Sequence, residues 1–225
     1  MIEIKFEINN SMFNKDPQQT DLGKKILEHS VLMIDEIGFE AFTFKKLAQR
    51  IGSAEKSIYR YFDNKHLLLL FLTSWYWEWV HYLISINIIN ITDPKRKLEI
   101  AISNLVKATS ENPMTRYINE NVLHKVVIKE GGKAYHIKDI DEENKAGLFL
   151  SYNTLVKLVA EIIQEINPDF KYCTSLASNL FEMSNNQIYF TEHLPQLSSL
   201  SNCAELNQNL IDMLNLYTEK LLVEG

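Results

Sequence analysis

Cysteine is scarce: Cys173 and Cys203 are the only two, far apart and without CxxC or Cys/His spacing. Neither a disulfide framework nor a zinc site is expected, and a reducing compartment fits. Glycine and proline are also thin, at 7 and 5 in 225 residues, which argues against a turn-rich all-β fold. No apolar run reaches the ~20 residues of a membrane span. The strongest, around Leu67 to Trp79, is interrupted by Ser74 and Glu78. Residues 1–8 alternate apolar and polar side chains and lack the basic and continuous apolar regions of a secretion signal. Basic charge is not in excess either: 23 Lys and Arg stand against 29 Asp and Glu, for a net charge of −6. That balance excludes a protein coated in base, although a global sum can hide a local patch. A cytoplasmic chain that meets no membrane is expected.

Recognisable catalytic patterns are missing as well. The six histidines, at 29, 66, 81, 124, 136 and 193, show no HExxH or other ligand spacing, and there is no GxSxG, P-loop or GxGxxG. No catalytic residue, metal or cofactor is expected. What is present is a globular composition, 46% hydrophobic and 23% charged, with apolar residues at helical spacing over most of the length.

Residues 1–19 read as a short extended arm or edge strand, with Ile2, Ile4, Phe6 and Ile8 on one face. From Thr20 the period becomes helical: Leu22, Ile26, Met33 and Ile37 recur, with Thr20 or Asp21 as the cap and Gly38 as the stop. After two short helices, longer ones are expected at roughly 64–90, 94–110, 113–130, 143–166, 169–192 and 204–222. Asp93-Pro94, Asn112-Pro113 and Asn167-Pro168 punctuate that series.

The two short helices carry the functional signal. Thr43 can cap a helix whose inward stripe is Phe44, Leu47, Ala48 and Ile51, and Gly52 frees the backbone for a tight turn. Ser53 then caps a helix over 54–61 with Ile58 and Phe62 as an inward i, i+4 pair. Small Ala48 lets the two helices cross closely, so with the preceding helix they make a helix-turn-helix. Its outward residues are Glu55, Lys56, Ser57, Tyr59 and Arg60, the hydrogen-bonding surface of a recognition helix. Over 42–66, six basic residues oppose Glu55 and Asp63, a local charge of +4 that leaves −10 on the other 200 residues. Positive potential is thus concentrated where such a motif meets phosphate.

The pattern Gly38-x-x-x-Phe42-Thr43-x-x-x-Leu47-Ala48-x-x-x-Gly52, followed by Ile58-Tyr59-x-Tyr61-Phe62-x-x-Lys65-x-x-Leu68, resembles the DNA-binding signature of TetR-type transcriptional regulators. The resemblance covers about 30 residues, or about 50 with the first helix. It implies an all-α homodimer with a three-helix DNA-binding domain over 20–66 and a larger helical domain over 67–225 for effector binding and dimerisation. Carried over, it implies phosphate contacts from Thr43, Tyr59 and Lys65 and base-edge contacts from Glu55, Lys56 and Ser57. Lys45, Lys46 and Arg60 complete the DNA-facing set. The family often places serine one residue later than Ser53, so the cap here is expected to shift. Glu55 can either complement the helix dipole or accept from cytosine N4.

Beyond the motif, Leu68, Leu72, Trp75, Trp79, Tyr82 and Ile86 form an aromatic stripe, with Trp77 and Ile84 on another side of the same helix. The stripe reads either as core or as one wall of an effector site formed by Trp75, Trp79 and Tyr82 with Tyr117, Asn121 and His124. The apolar face over 143–166 is wider than one internal contact needs, and 169–192 offers small residues for close approach. Phe149, Tyr152, Val156, Ile163, Ala177, Phe181, Ser184 and Ile188 read either as ordinary core or, as the resemblance to the family implies, as a dimer interface. The expected function is a regulator of operator DNA, a repressor released by a small apolar effector. The rival is a helical carrier or enzyme on the same fold that does not bind DNA.

Overall fold

The computed structural model describes residues 4–107, 115, 117–201 and 204–223. Among them there is no β-strand, and the order is α1 (Asp21–Ala41), α2 (Phe44–Ile51), α3 (Glu55–Tyr59), α4 (Lys65–Ile88), α5 (Pro94–Val106), α6 (Glu120–Glu130), α7 (Ile140–Lys145), α8 (Leu150–Ile166), α9 (Cys173–His193) and α10 (Leu206–Val223). Packing separates two compact units, residues 1–78 with 109–151 and residues 79–108 with 152–225. This grouping follows contacts and cuts differently from a functional division at residue 66.

In the first unit, Thr20 caps α1 by accepting the Gly23 amide at 3.0 Å. Its buried stripe includes Ile26, Leu27, Val31 and Ile34, and α6 packs against it. The portion of α4 in this unit is buried nearly all round, from Leu68 through Trp77. A helix apolar on every face belongs at the centre of its unit. Gly38 ends the first helical run as expected, with backbone outside the helical region at φ 75°, ψ 156°, and one further turn to Ala41, counted here with α1, follows it.

The arm is not an edge strand. Residues 4–9 carry no regular structure, and Asn9 and Asp16 cap two short 3-10 turns, Asn10–Met12 and Pro17–Gln19. A buried side-chain amide replaces strand pairing: Phe6 donates its N–H to Gln18 Oε1 at 3.2 Å, and Gln18 Nε2 donates to the Phe6 carbonyl at 3.0 Å. Such pairing satisfies backbone groups that burial would otherwise leave open.

Two other boundaries moved. The helix expected over 113–130 spans 120–130 among the described residues, capped by Asn119; Asn112 and Pro113 lie outside them. The helix expected over 143–166 is two, α7 and α8, parted at Gly147 with φ 75°.

In the second unit, Asp93 caps α5 through the Lys95 amide at 3.1 Å, with Pro94 at the first helical position. Lys97 of α5 pairs with Glu165 of α8 at 2.7 Å, and α9 and α10 pack on α5. Asn167 accepts the Asp169 amide at 3.1 Å and donates to the Leu222 carbonyl at 3.1 Å, so the α8–α9 turn is held by its own side chain and by α10. Cys173 is buried and free, and Cys203 lies outside the described residues.

Candidate nucleic-acid interface

Thr43 caps α2 by accepting the Lys46 amide at 3.2 Å, and Phe44, Leu47 and Ala48 turn inward. The turn that follows requires glycine: Gly52 sits at φ 66°, ψ 36°, where a side chain is strained. The Ser53 amide then bonds back to the Ala48 carbonyl at 2.9 Å, closing the C-terminus of α2. The serine does not cap α3. That helix starts at Glu55 with Ala54 in the cap position and no side-chain bond there. Ile58 and Phe62 are fully buried, and Tyr61 is buried with its hydroxyl 2.8 Å from Thr20 Oγ1. Core contacts therefore fix which side of α3 faces out.

On that outward side Lys56, Tyr59 and Arg60 are exposed, and Glu55 and Ser57 are half-buried. The Tyr59 ring stands edge-on to Phe44, centroids 5.1 Å apart, yet is 47% exposed. Thr43, Lys45 and Lys46 are exposed on α2 and its cap. The basic residues fall into two groups. Lys46 Nζ donates to the Ala41 carbonyl at 2.8 Å, and Arg50 is held by both carboxylate oxygens of Glu36. The Arg50 guanidinium keeps the Glu36 carboxyl below its usual range, and Glu36 in turn raises Arg50. Lys65 donates to the carbonyls of Phe39, Glu40 and Phe42 at 2.9, 3.1 and 3.3 Å. An ammonium has three protons, so its donors are consumed within the fold. The implied Lys65–phosphate contact is replaced by a positioning one. Lys45, Lys56 and Arg60 form no ion pair among the described residues.

Residues 26–70 match the family model described as "Bacterial regulatory proteins, tetR family". The chain carries a TetR-family DNA-binding domain. Around this TetR-type domain the whole fold resembles solved structures: AibR in complex with isovaleryl coenzyme A and operator DNA (12% identity, 88% of this chain and 98% of that one, TM-score 0.57), apo AibR (13%, 88% and 97%, 0.55) and the superantigen PfiT (14%, 90% and 97%, 0.58). At such identities the likeness is one of fold. No curated protein sequence matches the chain.

The effector candidates separate. In the first unit, Trp75 is fully buried and donates from Nε1 to the Tyr117 hydroxyl at 3.3 Å, and that oxygen lies 3.1 Å from Gln18 Oε1 and 3.2 Å from the Ile4 carbonyl. Phe6 stands edge-on to Trp75 at 5.2 Å, so the arm occupies this corner. Asn121 is half-buried, and buried His124 stacks on Tyr76 at 5.4 Å. Buried Glu120, hydrogen-bonded by Thr115, lies one turn before His124 on α6 and was not singled out in the sequence, where it falls inside the helix expected over 113–130. In the second unit, Trp79 is fully buried and stacks on Tyr82 at 5.9 Å. A cleft of about 190 Å³ there is lined by α5, α8 and α10, including Leu98, Ile166, Thr218 and Leu222.

The dimer candidates are interior. Phe149, Val156, Ile163, Ala177, Phe181, Ser184 and Ile188 are buried within the chain, and Tyr152 is half-buried with its hydroxyl on Glu182 at 2.8 Å. The wide apolar face of α8 is thus spent inside. Among the described residues of the second unit, Ile86, Ile89, Tyr172, Leu194, Leu197, Leu216, Tyr217 and Leu221 are exposed, and Leu176, Met183 and Phe190 of α9 and Met213 of α10 are half-buried.

Proposed function

We propose that the protein is a cytoplasmic transcriptional repressor that binds operator DNA as a homodimer and is released by a small effector. The observation that carries this reading is the outward side of α2 and α3, where Lys45, Lys56, Tyr59 and Arg60 are exposed and the three cations form no ion pair among the described residues. Lys45, Lys56 and Arg60 supply phosphate contacts, while Glu55, Lys56 and Ser57 at the start of α3 meet base edges. No catalytic step is assigned to the chain.

Homodimerisation is assigned to the outer faces of α9 and α10. Leu176, Met183 and Phe190 recur every seven residues, and Met213, Leu216/Tyr217 and Leu221 follow i, i+3/i+4 spacing, so each helix offers one apolar stripe. Two such helices with their symmetry mates make a four-helix interface, and the operator half-sites are spaced to match the pair. Residues 67–225 serve effector binding and dimerisation in this scheme. Release follows if the effector favours an arrangement in which the paired recognition helices no longer match that spacing. AibR, of the same fold, has been solved with operator DNA and isovaleryl coenzyme A, which supports a DNA-and-effector pairing here.

Selection of duplexes from a random-sequence pool on the wild-type protein tests the reading. Enrichment of a two-half-site sequence, bound in a gel shift and lost in Arg60→Ala, is the expected result. No enrichment would refute it.

A further inference from the structure

The corner between α1 and α2 is held from two sides by residues distant in sequence. Gly38 adopts φ 75°, ψ 156°, which breaks the α1 ladder and deprives the Phe39 amide of its helical acceptor. That amide donates instead to Glu130 Oε1 at 3.0 Å, a carboxylate supplied by the last residue of α6. A Cβ built on Gly38 would lie 3.5 Å from the same oxygen, in ordinary contact, so the carboxylate rests against this glycine. The Glu130 side chain is only 13% exposed, and its other oxygen is 2.8 Å from Lys133, which also reaches Glu40 at 3.0 Å. From the opposite side, Lys65 of α4 takes the Phe39 carbonyl. One peptide unit is thereby fixed at its N–H by α6 and at its C=O by α4. Four residues later Thr43 begins the cap of α2, so the orientation of this corner sets where the helix-turn-helix starts.

We infer that Glu130 is a positioning residue for DNA binding: by accepting the Phe39 amide it holds the α1–α2 corner, and hence α2 and α3, in the geometry that fits the groove. The inference rests on the DNA-binding reading above and extends it to a residue 91 positions away from its partner. It makes the DNA-binding unit discontinuous in sequence, completed by α6, consistent with the compact unit that joins residues 1–78 to 109–151. Lys133 orients the carboxylate and does not itself touch the amide.

The test compares Glu130→Ala, Glu130→Gln and Lys133→Ala in the full chain, using the duplex enriched on wild type and hydrogen exchange at the Phe39 amide. Glu130→Ala is expected to lose about tenfold or more in amide protection and about tenfold in duplex affinity, with cooperative thermal unfolding retained. Glu130→Gln keeps an acceptor oxygen and is expected to restore both, and Lys133→Ala to change them by less than about threefold. Should the alanine variant fold poorly, Glu130→Asp, one methylene too short, is expected to show the same two losses. Full duplex affinity beside an unprotected Phe39 amide would overturn the positioning role, as would a glutamine variant as defective as alanine. A wild type that enriches no duplex would instead defeat the DNA-binding reading, while the exchange measurement still reports on the corner.

Discussion

Lys65 is bonded to Phe39 twice over, its Nζ 2.9 Å from the carbonyl oxygen and 4.6 Å from the centroid of the ring. A lysine in a DNA-binding motif is ordinarily counted as a phosphate contact, but here the ammonium closes the end of α1. Lys65→Ala is expected to cost about 1–3 kcal/mol of stability, because the carbonyls it serves lose a charged donor. Operator affinity falls with the loosened corner while the salt dependence of binding stays at the wild-type slope. Equilibrium denaturation beside salt titration checks this, and a slope reduced by about 1 would return Lys65 to the phosphate contacts.

The α9 and α10 faces make a second prediction. Leu216→Glu or Leu221→Glu places a charge at an exposed position of the single chain, so the fold is expected to survive and the dimer to dissociate. Ile163→Glu buries a charge where no solvent reaches and is expected to unfold the chain. Sedimentation and circular dichroism distinguish the two outcomes; a wild type that sediments as a 26.2 kDa monomer would contradict the dimer.

Trp79 is fully buried and stacked on Tyr82. Trp79→Ala is expected to cost about 3–5 kcal/mol, with DNA binding lost through unfolding alone. A stable, DNA-competent variant would show instead that the indole lines a space the fold does not need filled.

Asp16 anchors the arm through Lys5 at 2.7 Å and the Gln18 amide at 2.9 Å. Partial burial works to raise its pKa, but the bonds from Lys5, Gln18 and Gln19 outweigh it and the net shift is downward from 3.8. A carboxyl with a lowered folded pKa contributes stability that is complete above its unfolded value and drains away as pH falls through the folded one. Asp16→Asn is therefore expected to flatten the acid limb of stability below that value and to leave the neutral region's pH dependence unchanged, as thermal melts across pH will show.

The motif was legible in the sequence because its constraints are local. Thr43, Gly52, Ile58 and Phe62 act within a few residues of themselves, through a cap, a left-handed turn and an i, i+4 pair. The roles of Lys65 and Glu130 were not legible, since a charge looks the same whether it meets phosphate or a backbone group brought up by another helix. Ser53 misled as a cap because α3 starts at Glu55, one residue later than expected, which puts Ala54 with no side-chain acceptor in the cap position. The apolar width of α8 suggested a partner chain, but its apolar residues are buried within the single chain, and only burial told these two uses apart. Gly147 was passed over inside a strong helical period, although its positive φ divides α7 from α8.

The central claim, that the outward side of α2 and α3 binds duplex DNA through its uncommitted cations, is tested most directly by the salt dependence of binding to the duplex enriched from the random pool. In fluorescence-anisotropy titrations over a salt series, log affinity is expected to fall linearly with log salt, and Lys56→Ala and Arg60→Ala each to reduce the slope by about 0.9. Affinity that does not respond to salt, or slopes unchanged in both variants, would contradict it.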